Sequence, residues 1–114
     1  MPDTNKLQNI TDAAVAIRKA QASLMQASRT CTDPVSSAKI TAEYTHLNSM
    51  FQQLQHALAI TDDAAFNAAT NLLKQSAESF QADEDQLKAI IGDVKTAASV
   101  VGYIEQAVSV LMTM

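Results

Sequence analysis

The sequence predicts an all-α protein, an antiparallel up-down-up-down four-helix bundle, and three observations lead there. The 114 residues hold only Gly92, Gly102, Pro2 and Pro34 as strong turn formers, whereas a sheet protein needs a turn residue at every strand end. Apolar residues make up 47% of the chain and 20 of them are alanine, the strongest helix former. Large apolar residues also recur in alternating steps of three and four along four segments separated by short breaks. The length suits one core, so residues 1–114 are expected to form a single domain.

Helix 1 is expected from about Thr4 to Ser28, with Leu7, Ile10, Ala14, Ile17, Leu24 and Ser28 on one stripe and Gln21 as a polar gap. Asp33 followed by Pro34 restarts the chain, because a carboxylate caps free helix amides and proline suits the first helical position. Helix 2, about Pro34 to Ile60, carries the row Ile40, Tyr44, Leu47, Phe51, Leu54 and Leu58, read as core-facing. Thr61, Asp62 and Asp63 supply a stop and a new cap. Helix 3 then presents Phe66, Ala69 or Thr70, Leu73, Ala77 and Phe80. Asp83 and Gln86 have the spacing of a capping box, which places the start of helix 4 there. Its core row would be Leu87, Ile90, Val94, Ala97, Val101, Ile104, Val108 and Leu111. Short connections make sequence neighbours antiparallel.

Charge excludes some partners. Twelve acids face eight bases, and many of the acids stand where helix starts want them. The bases are scattered, with no stripe to neutralise phosphates, so nucleic-acid binding is not expected. The single Cys31 cannot close an intrachain disulfide, and Met1 to Gln8 lacks the basic-then-apolar plan of a signal peptide. Cytoplasmic location is the expectation, with secretion without a cleaved signal left open.

Chemistry-bearing residues are few. Glu43 and His46, three apart on helix 2, are the weak metal-ligand candidates. Four-helix di-metal proteins use two such pairs plus two further glutamates, but His56 is preceded at that spacing by Gln53. A complete di-metal site is therefore excluded, no cofactor is expected, and the two histidines are read as pointing in different directions. Cys31 is the one thiol, yet neighbouring Asp33 opposes thiolate formation. Phosphate loops and nucleophile elbows are missing, so the chain reads as a non-enzyme.

The informative anomaly lies in the last helix. Beside its core row runs a second row, Val100, Tyr103, Ala107, Val110 and Met114, whereas one bundle core consumes one stripe. Two readings compete: a more central helix 4 covered by helices 1 and 3 on different faces, or a surface for a protein partner or a second copy. Membrane insertion is disfavoured, because Glu105 and the neighbouring polar residues cancel the aliphatic gain over residues 96–114. The leading functional reading is a non-catalytic protein-binding module of the adaptor, secretion-associated chaperone or toxin-neutralising immunity type, acting through this second row. The alternative is a small-molecule or metal-binding bundle that uses Glu43 and His46 in a groove between helices 2 and 4.

Overall fold

A computed structural model describes residues 4–113. Four helices follow one another: α1 (Thr4–Thr30), α2 (Pro34–Ala59), α3 (Asp63–Ile90) and α4 (Val94–Met112). Each link is a three-residue break, at 31–33, 60–62 and 91–93. Asp33, Asp62 and Asp93 close these breaks in the same way. Each has extended backbone and a side chain that accepts from the amide three residues on, of Ser36, Ala65 and Thr96, which satisfies a donor that the first helical turn leaves free. At the other side of two breaks the chain ends its helix by donating the Ile60 amide to Ala57 and the Ile91 amide to Leu87.

Helix α1 packs on α2 and α4, and α3 packs on the same two, so α1 and α3 stand on one diagonal and α2 and α4 on the other. This is the four-helix bundle that the sequence predicts, about 48 Å long and 20 Å across. Among the described residues, no helix is long and apolar enough to cross a membrane.

One boundary and two faces differ from expectation. The residues around Asp83 are not a helix start: α3 runs through them, and the break falls at Ile91–Asp93. Continuing the row of Phe66, Thr70, Leu73, Ala77 and Phe80 in steps of four and three reaches Glu84 and then Leu87, which is 1% exposed. Burial of Leu87 outweighs the local capping preference of Asp83. Leu87 and Ile90 thus belong to α3, and Val94, expected in the core, is 80% exposed at the first turn of α4.

On α2 the core row is Ile40, Leu47, Met50, Leu54 and Ala57. Tyr44 and Phe51 are only partly buried and Leu58 is exposed. Met50 and Phe51, like Ala57 and Leu58, are adjacent apolar pairs. Periodicity alone cannot say which member of a pair points inward.

The second row of α4 is where the expectation changes most. Val100 and Ala107 are fully buried, Tyr103 and Val110 are partly exposed, and Met114 lies outside the described residues. Helix α1 explains this. Its alanines Ala13, Ala16, Ala20 and Ala27 are buried beside the larger Ile10, Ile17 and Leu24, and small side chains allow close backbone approach. The α1–α4 pair forms the most extensive interface of the bundle. Helix α4 therefore uses both rows within the monomer, so Val100 and Ala107 are corrected from candidate partner contacts to core.

Candidate functional site

The polar side chains that gather in the structure sit between α2 and α3. Glu43 falls on the inner row of α2, between Ile40 and Leu47, so the helix itself carries a carboxylate toward the core. His46, one turn on, faces Asp83 of α3, with its Nδ1 3.5 Å from the Asp83 Oδ2. The imidazole also stacks on Phe80, ring centres 4.0 Å apart and planes 18° from parallel, which limits its rotation. One ligating atom from each of Glu43, His46 and Asp83 can be chosen so that all lie within 4.8 Å of one another. Sequence reasoning found Glu43 and His46 but placed Asp83 in a helix cap, and so missed the third member.

Electrostatics within this cluster is unfavourable as it stands. Burial, the Asp83 charge and the hydrogen bond to Asp83 together push the Glu43 carboxyl up to about 7. One Glu43 oxygen, Oε1, is covered and has no hydrogen-bond partner. No cation figures among the charges that act on Glu43. Two carboxyl groups facing each other in this way hold either a shared proton or a metal ion. A second acidic pair bridges α3 and α4: burial first, then Glu105, raises the carboxyl of Glu84, whose Oε1 is likewise covered and unpartnered.

His46 of the cluster also lines a groove of about 740 Å³, together with Gln53, His56, Leu72, Leu73 and Ser76 among others. Both histidines therefore border one groove, contrary to the expectation that they point apart. They are ten residues apart on one helix, about 15 Å, too far to share a ligand. The groove lies between α2 and α3. Helices α2 and α4, expected to frame it, stand on the diagonal of the bundle and are not adjacent. The Ser76 hydroxyl donates to Gln53 Oε1 at 3.1 Å and bridges the two helices along this groove.

A different surface runs along α1 and α2. Val15 is 50% exposed and Leu58 37%, and Ala14, Ala22 and Phe51 line the shallow apolar seam with them. Arg18 lies over the Phe51 ring at 3.6 Å. Lys19, also on this seam, reaches toward Tyr103 of α4 at 5.9 Å. The row Val15, Ala22 and Met25 was legible as a second apolar row of helix 1, and Leu58 and Phe51 were noticed but assigned to the core.

Cys31 is partly buried in the first break, and its thiol donates to the Asp33 carbonyl at 3.5 Å. The residues around it are Thr30, Asp33, Ile91 and Asp93, with no histidine among the lining residues. That setting supplies no base to activate a thiol. No protein-family model matches the chain, and neither do any characterised proteins or solved structures.

Proposed function

We infer that this protein is a non-catalytic protein-binding module that takes an amphipathic helix of a partner into the seam between α1 and α2. The observation that carries this reading is the shallow groove in which Ala14, Val15 and Ala22 of α1 stand with Phe51 and Leu58 of α2. A docked helix presents apolar residues at steps of three, four and seven, and Val15 and Ala22 stand seven residues apart along the groove. Arg18 and Lys19 stand in the same seam and favour a partner helix with acidic residues beside its apolar face. Around it, the glutamine-, serine- and threonine-rich surface of the first three helices desolvates at lower cost than charged residues would. The partner face is thus moved from the second row of α4 to α1 and α2, with Tyr103 and Val110 as the residual exposed members of that row. Adaptor, secretion-associated chaperone and toxin-neutralising immunity roles all use such a surface.

Placing a photo-crosslinking amino acid at Val15 or Leu58 in the native cell tests the reading. The expected product is one dominant adduct whose crosslinked peptide, identified by mass spectrometry, is an acidic amphipathic helix. It should vanish when Arg18 and Lys19 are both changed to Glu. Crosslinking no stronger than from Gln81, an exposed control on α3, overturns the proposal. An adduct between two copies of this chain replaces the partner with self-association.

A further inference from the structure

We propose that Glu43, His46 and Asp83 form a binding site for one divalent transition-metal cation of the zinc class, held across the seam between α2 and α3. It is independent of the docking surface, which lies on another seam. Three features on the page bear on it together. The donors come from two neighbouring helices and converge within 4.8 Å, so one ion can reach all three. The imidazole is already oriented by its stack on Phe80 and by Asp83. Finally, a covered Glu43 oxygen lacks any partner, and a buried carboxylate oxygen without a donor is a cost that a cation removes.

The ligand set decides the class of ion. One imidazole and two carboxylates suit zinc and its first-row neighbours, whereas calcium takes six to eight oxygens and magnesium keeps most of its water. Zinc bonds to nitrogen and oxygen are about 2.0–2.2 Å, which puts tetrahedral donors about 3.3 Å apart. Closing from the present spacing requires the two carboxylates to turn inward while the stacked imidazole stays in place. Three protein donors leave a fourth position for water on the side of the groove that His46 lines.

Full-length protein stripped with a chelator and dialysed is titrated with zinc chloride by calorimetry, and with cobalt chloride by visible absorption. The expected result is one equivalent bound, with ligand-field bands for cobalt and a higher Tm with zinc. Glu43→Gln, His46→Ala and Asp83→Asn should each weaken binding at least tenfold, while His56→Ala and Cys31→Ser leave it unchanged. Circular dichroism identifies any variant that fails to fold. Glu43→Gln keeps the side-chain shape and removes the disfavoured charge, so it remains informative if His46→Ala unfolds. The proposal is overturned by no stoichiometric binding in the unaltered protein, by affinity retained in Glu43→Gln, or by affinity lost in His56→Ala or Cys31→Ser alone.

Discussion

The two sides of the bundle that meet at α1–α4 and at α2–α3 are built on opposite principles. Between α1 and α4, the helix pair that approaches most closely, small alanines of α1 share the core with Val100, Ile104 and Ala107 of α4, all buried. Between α2 and α3 a groove is left open, and His46, which lines it, belongs to the cluster with Glu43 and Asp83. The first side contributes apolar burial without polar cost. The second holds two partly buried acids, Glu43 and Asp83, and leaves a covered Glu43 oxygen unpartnered. Stability is thus concentrated on one side, which lets the other carry groups that weaken the apo fold.

The largest expected effect breaks the stabilising side. Val100→Asp places a charge where exposure is 0%, and it should lower stability by about 3–5 kcal/mol. Urea denaturation measures it. A well-folded Val100→Asp protein would mean that α1 and α4 are not the tight pair described, and would return the second row of α4 to the surface.

Glu43→Gln acts on the other side and in the other direction. Folding raises the Glu43 carboxyl from 4.5 to about 7, so the folded state binds this proton more tightly than the unfolded chain. The group favours folding most below about pH 4.5, and that contribution is lost as pH rises through 7. Metal-free Glu43→Gln should lose this slope and gain on the order of 1 kcal/mol at pH 8, after allowance for the solvent around a half-buried group. Melts at pH 5 and pH 8 compare the two proteins, and an unchanged slope would remove the unfavourable cluster from the comparison.

A smaller effect concerns where α3 ends. Asp93→Ala removes the cap of α4 and should lower Tm by about 2–5 °C, whereas metal-free Asp83→Ala should leave Tm unchanged or raise it, since it removes an acid facing Glu43. The reverse order would put the helix boundary back at Asp83. The smallest stability effect is expected on the outer seam. Val15→Glu and Leu58→Glu sit at exposed positions and should change stability by less than about 0.5 kcal/mol, while abolishing the crosslinked partner adduct.

Much of this was legible in the chain. The rows of α1 and α3 led to the right faces, and Asp33 with Pro34, and Asp62, marked their helix starts without tertiary information. Glu43 and His46 were legible as a pair because three residues bring two side chains to one helix face. Asp83 was not. It lies forty residues from Glu43 in sequence, and its own neighbourhood of acids resembled a cap.

The sequence by itself determined four helices, their antiparallel order and the breaks led by Asp33 and Asp62, because these follow from spacing and capping within a few residues. The tertiary structure alone decided which member of each apolar pair on α2 points inward, whether the second row of α4 is covered, and which acid meets His46. Those outcomes depend on what stands opposite each helix. Local periodicity is blind to that, and burial of Val100, Ala107 and Leu87 against distant partners settled it.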